Sequence, residues 1–304
     1  MVAWASGTGG TVLRTTDGGA TWASVGPPGT EDLQFRDIEA TSARHAVILS
    51  IGEGTDSRIY VTDDGGAHWA ESFRNPDPAA FYDCVAFATP WHGLAMSDPV
   101  DGKFRIIETK DAGHSWSLVD PAGMPPAQAG EAGFAASGTC LTATLGRYWL
   151  GSGGADPGRV FRSNDAGHTW SVANTPLAGS PSAGVFSVRF RDWFNGIAVG
   201  GDYLAPTAGV ANAAYSKDGG RTWKPATTPP GGYRSGSAWV APWATRWVPT
   251  AIAVGPTGSD VTRDGGRTWT GFDSGSFDSV ECALDGACWA SGEQGRVATL
   301  TMGR

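Results

Sequence analysis

Positive charge is scarce in this chain. Its 304 residues carry 22 lysines and arginines against 30 aspartates and glutamates, a formal net charge of −8. The cations are scattered singly and form no basic stripe, so nucleic acid is excluded as a partner. No apolar run reaches the length of a membrane span. The first residues, Met1-Val2-Ala3-Trp4, lack the charged region and apolar core of an export signal. No segment keeps a helical period; the nearest, Pro126 to Ala136, is broken by two glycines behind a Pro-Pro pair. The catalytic signatures G-x-S-x-G and H-E-x-x-H, the phosphate-binding loop and the dinucleotide fingerprint are all missing, and no cofactor is implied.

Glycine and tryptophan are plentiful instead, with 45 and 14 residues. Such a composition suits many short strands joined by tight turns. The stretch Thr15-Thr16-Asp17-Gly18-Gly19-Ala20-Thr21-Trp22 returns as Thr62 to Trp69, Thr109 to Trp116, Ser163 to Trp170, Ser216 to Trp223 and Thr262 to Trp269. All are Ser/Thr-x-Asp-x-Gly-x-x-Trp, at a period of roughly 50 residues, which marks a repeat architecture folded as one closed array.

Each fixed position has a physical task. The carboxylate can accept backbone N–H groups and close an Asx-type turn. The glycine supplies a positive φ. The first hydroxyl can bond across the turn, and the tryptophan offers an apolar body to wedge between neighbouring units.

This pattern resembles the Asp-box, or bacterial neuraminidase repeat, of β-propellers in sialidases, xyloglucanases, sortilin-type receptors and photosystem II assembly factors. The resemblance implies a box between the third and fourth strands of each blade, on the face opposite the usual binding site. Four strands, A to D, precede or follow each box; in one unit they are Phe35 to Thr41, Ala46 to Ile51, Arg58 to Thr62 and His68 to Phe73. Further units run about 82–119, 134–172, 185–226 and 237–272. Residues 1–25 supply strands B, C and D, and 278–300 supply A, B and C. Because Trp4-Ala5-Ser6-Gly7 and Trp289-Ala290-Ser291-Gly292 both belong to strand B, the two ends cannot be halves of one blade. The expectation is an all-β, seven-bladed propeller in one domain over residues 1–304, its first blade lacking the inner strand and its last the outer. A natural precursor is expected to carry a further upstream segment.

The four cysteines read either as buried thiols or as two disulfides; Cys282 and Cys288 would face each other across a three-residue hairpin loop. His68, His114 and His168 lie inside boxes, and His45 and His92 share one A–B turn position. All five thus fall on the box face and on different blades, so neither a histidine triad nor a metal site is expected.

Function should fall where the repeat is broken, in the D–A and B–C connections on the other face. The polar residues that occur once there are Arg36, Asp83, Asp98, Glu131, Asp202, Tyr203 and Arg234. They form the expected ligand-binding set, at least three of them lining one pocket at the mouth of the channel. Arginine offers a planar donor fork, and the acids can accept sugar hydroxyls or act as acid and base.

Among the families, a sialidase needs Phe-Arg-Ile-Pro, whereas Phe104-Arg105-Ile106-Ile107 lacks the proline and runs into a box. Xyloglucanases pair two propellers. Val2 to Gly7, the boxes and Gly255-Pro256-Thr257-Gly258 are most similar to single seven-bladed propellers of the photosystem II stability/assembly factor type and their bacterial relatives. The arginine-rich patch of the photosynthetic members is missing. The reading is a monomeric, extracytoplasmic, non-catalytic propeller of the binding or assembly type that recognises a protein or carbohydrate through its loop-rich face. The alternative is a glycoside hydrolase or lyase built on Asp83, Asp98, Glu131 and Asp202.

Overall fold

In the computed structural model, which describes residues 1–300, the chain forms seven antiparallel sheets in sequence order, the blades of a seven-bladed β-propeller. Blade 1 has three strands, Ala3–Ser6, Val12–Thr15 and Ala23–Ser24. Blade 2 has Gln34–Ala40, Ala46–Ile51, Arg58–Thr62 and Ala70–Arg74. Blade 3 has Tyr82–Phe87, Gly93–Val100, Lys103–Thr109 and Ser117–Leu118. Blade 4 has Leu141–Thr144, Arg147–Ser152, Arg159–Ser163 and Ser171–Asn174. Blade 5 has Ala183–Phe190, Gly196–Asp202, Ala213–Ser216 and Lys224–Pro225. Blade 6 has Gly236–Trp239, Ala251–Gly255, Gly258–Thr262 and Thr270–Asp273. Blade 7 has Ser279–Cys282, Cys288–Gly292 and Arg296–Leu300. The expected strand count holds, with three-stranded sheets at both ends, and the two Trp-Ala-Ser segments lie in separate sheets.

The chain divides into two compact units. One holds blades 1–3 with Gly167–Thr169, and the other holds the rest from Gln128 onward. Within each, the cores lie between successive blades. In the first unit Val47, Leu49 and Val61 of blade 2 meet Tyr82 and Val85 of blade 3. In the second, Trp149 and Val160 meet Val185 and Phe190, and Ile197 and Val199 meet Ala251 and Trp269. Strands rich in β-branched and aromatic residues bury both faces in this way, so they read as apolar runs rather than alternating ones.

The boxes behave as their residues imply. In blade 1, Thr15 Oγ1 donates to Asp17 at 2.8 Å and accepts the Gly19 amide at 2.9 Å, and Asp17 accepts both the amide and the hydroxyl of Thr21. Blades 3, 5 and 6 repeat this set around Asp111, Asp218 and Asp264. In blade 2 His68 replaces the hydroxyl donor, its ring 2.7 Å from Asp64. The box glycine has a second duty that the repeat pattern did not reveal. Gly113 sits at φ +88°, and a β-carbon there would lie 2.6 Å from Val47 of the preceding blade; Gly167 and Gly266 face Leu94 and Ile197 in the same way. The turn is also the joint between blades.

None of the four cysteines is free, and Cys282 and Cys288 form a disulfide across their hairpin. Pairing Cys282 with Cys288 directly across two strands is what allows a bridge over so short a loop.

Candidate ligand-binding face

The inner strand of a blade is where the ladder breaks. In blade 2 the pairing skips from Phe35 to Asp37, in blade 3 from Tyr82 to Cys84, and in blade 5 from Val185 to Ser187. The residues left out are Arg36, Asp83 and Phe186, one at the same place in each strand. On the next strand of blade 3, Asp98 is skipped in turn, and its amide bonds the Phe81 carbonyl. A bulge frees a side chain from the regular alternation and re-aims it. Three of the expected site residues in the first unit are therefore bulge residues.

Asp83 is almost wholly buried, and one of its carboxylate oxygens has no hydrogen-bond partner. Burial, with the Asp98 carboxylate as a second cause, pushes its carboxyl well above the usual range. Arg36 is half-buried, and its Nε also lacks a partner.

In the second unit two of the expected residues serve the fold. Glu131 is clasped by the Arg159 guanidinium through two bonds and accepts the Ser152 hydroxyl at 2.6 Å and the Gln128 amide at 2.8 Å. Arg234 donates to Asp260 at 2.7 Å through Nε, with Nη2 2.5 Å from the same oxygen. Its Nη1 donates to the Tyr233 carbonyl and to Thr257. Both pairs are buried, and their donors and acceptors are consumed internally, which leaves nothing to present to a ligand. The sequence cast these two as ligand groups; their partners lie on other strands of the same blade, out of sight of a local motif.

Asp202 turns its carboxylate onto the Leu204 amide at 2.9 Å and so shapes the B–C loop of blade 5. Tyr203, the next residue, is 46% exposed. It meets two stacked rings edge-on, Phe134 at 6.5 Å and Phe186 at 6.2 Å, whose centroids are 4.0 Å apart. Tyr233, buried, closes the group at 4.7 Å from Phe186. Burial raises the Tyr233 hydroxyl, with the charge of Asp278 as the next cause. The sequence pointed to Tyr203 but not to Phe134 and Phe186. A phenylalanine on a strand reads as core until the bulge at Phe186 is seen. Beside Tyr203 the same loop exposes Leu204 and Val210, at 74% and 81%.

One grouping on the box face departs from expectation. His45 and His114, expected to stand apart on different blades, both reach Asp63: His45 Nδ1 lies 2.9 Å from one carboxylate oxygen and His114 Nε2 lies 3.3 Å from the other. The sixth position of a box reaches back to the preceding blade, a placement that strand assignment alone does not give.

The profile of the BNR/Asp-box repeat matches residues 214–225. No curated protein sequence matches the chain. Among solved structures, the chain is similar to YCF48 from Cyanidioschyzon merolae at 15% identity and a TM-score of 0.67, over 98% of this chain and 90% of that one. It is similar to U3-55K at 11% identity and a TM-score of 0.61, over 97% and 87%. The GH74 enzyme of Niastella koreensis matches at 14% identity and a TM-score of 0.54, over 98% of this chain but 42% of the enzyme. At these identities the likeness is one of fold.

Proposed function

We propose that the protein is a non-catalytic binding propeller that takes an apolar or aromatic segment of a partner protein on the loop-rich face of blades 4 to 6. The observation that carries this reading is Tyr203, half exposed above the Phe134–Phe186 stack and flanked by exposed Leu204 and Val210. Rings anchored from below present a rigid apolar surface at small entropic cost, the usual character of a binding hot spot. Two of the four acids named for a hydrolase are engaged within the fold, Glu131 by Arg159 and Asp202 by the Leu204 amide. Glu131 and Arg234 are held in buried pairs, and Asp83 is closed off from substrate. We place the protein in an oxidising, extracytoplasmic compartment, a placement supported by its lack of free thiols.

Peptide and glycan arrays probed with the protein and with Tyr203→Ser test this reading. Peptide binding that drops at least about tenfold in the variant supports it. Binding confined to glycans, with cleavage in a polysaccharide screen, would replace it by the hydrolase alternative.

A further inference from the structure

We infer that His45, Asp63 and His114 form a site for a divalent transition-metal ion of the zinc class, clipping the box turn of blade 3 to blade 2. The three side chains come from separate turns: His45 from the A–B turn of blade 2, Asp63 from the box of blade 2, and His114 from the box of blade 3. One ligand atom from each lies within 4.8 Å of the others. Donors around a tetrahedral zinc stand roughly 3.4 Å apart, given metal–nitrogen and metal–oxygen bonds of about 2.1 Å, so modest rotamer shifts would close the set. His114, 46% exposed, is free to make them. Two imidazoles and a carboxylate are ligands that suit zinc, cobalt and nickel better than calcium or magnesium, and a fourth position stays open to water.

The repeat provides an internal control. The equivalent histidines one blade on, His92 and His168, also share a carboxylate, Glu108, at 2.7 and 3.8 Å. There the chain supplies its own cation: Lys110 Nζ lies 2.9 Å from the other Glu108 oxygen. Lys110 occupies the box position that Asp63 holds in blade 2. Among the described residues no lysine or arginine is paired with the Asp63 carboxylate, and Arg44 donates to the Asp63 backbone carbonyl instead. The shared carboxylate comes from different positions, Glu108 just before the box in blade 3 and Asp63 inside it in blade 2, so blade 2 holds a carboxylate where blade 3 holds its cation, and this points to an external cation at Asp63. His45 Nε2 is buried, which leaves Nδ1 as the nitrogen turned toward the cluster.

The test uses untagged, chelator-stripped protein titrated with Co²⁺ and with Zn²⁺. The expected result is saturable binding of a single ion per chain, an intense visible cobalt spectrum of low coordination number, and a higher melting temperature with Zn²⁺. His114→Ala and Asp63→Asn should each weaken binding by at least about tenfold and abolish the thermal shift, as loss of a direct ligand should exceed the 10–100-fold cost of losing an outer-shell partner. His68→Thr, which installs the residue found at that position in other boxes, should leave both unchanged. The inference is overturned if no saturable binding is seen, if the Asp63 and His114 variants bind as the parent does, or if His68→Thr weakens binding equally.

Discussion

The box turns and the loops at the opposite end of the same strands obey different rules. Around Asp17, Asp111, Asp218 and Asp264 the same bonds recur within a few hundredths of their lengths, and the box glycine meets the preceding blade in each complete blade pair described. On the loop face the chemistry varies: a bulged arginine in blade 2, a buried acid in blade 3 and a bulged phenylalanine in blade 5, with buried arginine–carboxylate pairs in blades 4 and 6. What recurs serves the blade and its joint, and what occurs once is open to function. Residues unique to one blade divide further, into those that hold it together, such as Arg234, and those that face solvent, such as Tyr203.

The strongest way to sharpen that division is Arg234→Ala. It leaves Asp260 as a buried carboxylate without its partner, at a cost of about 3–5 kcal/mol read from urea unfolding. The double variant Arg234→Met, Asp260→Leu should recover most of this loss. If Arg234→Ala instead unfolds like the parent and loses ligand affinity alone, the arginine belongs to the binding surface as the sequence suggested.

Box substitutions come next. Asp111→Ala leaves the Ser115 amide and the Thr109 hydroxyl without their acceptor, at about 1–3 kcal/mol. Gly113→Ala forces a methyl against Val47 and should cost a similar 1–3 kcal/mol through overpacking, before any strain from its positive φ. Both should lower the melting temperature and spare binding. A box variant that abolishes binding at unchanged melting temperature would show the two faces to be assigned the wrong way round.

The repeat, its residue types and its period made the fold legible, and within blade 2 even the limits Ala46–Ile51 and Arg58–Thr62. Of the candidate site, the sequence marked Tyr203, where exposure and polarity coincide. The bulges at Arg36, Asp83 and Phe186 arise from one extra residue on one strand of a pair, a relation between strands that no single segment displays. The Glu131–Arg159 and Arg234–Asp260 pairs join positions 28 and 26 residues apart, so each looked like an unpartnered charge until the sheets were assembled.

Acidity separates the same classes with opposite signs. Asp17 is held at about 2, first by the Thr21 hydroxyl and then by its amide, and Asp64 at about 2 by the His68 amide and ring. A depressed carboxyl contributes stability that is present above its ordinary value of 3.8 and lost as pH falls toward 2. Replacing Asp17 by Asn should flatten the acid limb of a melting-temperature profile in that window. Asp83 is raised by burial, so its favourable contribution is complete below 3.8 and is lost as pH rises through its folded value. Asp83→Asn should therefore gain on the parent as pH increases from about 4, and a gap that shrinks with pH would contradict a carboxyl raised by burial.

The smallest effect on stability is expected at Tyr203, and it bears most directly on function. Its ring touches Phe134 and Phe186 only edge-on, with nearly half its surface open, and its amide bond to the Ser182 carbonyl survives any side-chain change. Tyr203→Ser should shift unfolding by no more than about 0.5 kcal/mol, the range of surface substitutions away from caps and cores. The stack beneath remains, so a partner segment seated on the ring loses its anchor while the blade does not change. Phe186→Ala gives the contrasting case: the ring is buried, and its removal should cost about 3–5 kcal/mol by opening a cavity under the loop. Weakened binding in Tyr203→Ser at an unchanged melting temperature would place recognition on the exposed ring itself. Equal binding by Tyr203→Ser and the parent would move recognition away from blade 5.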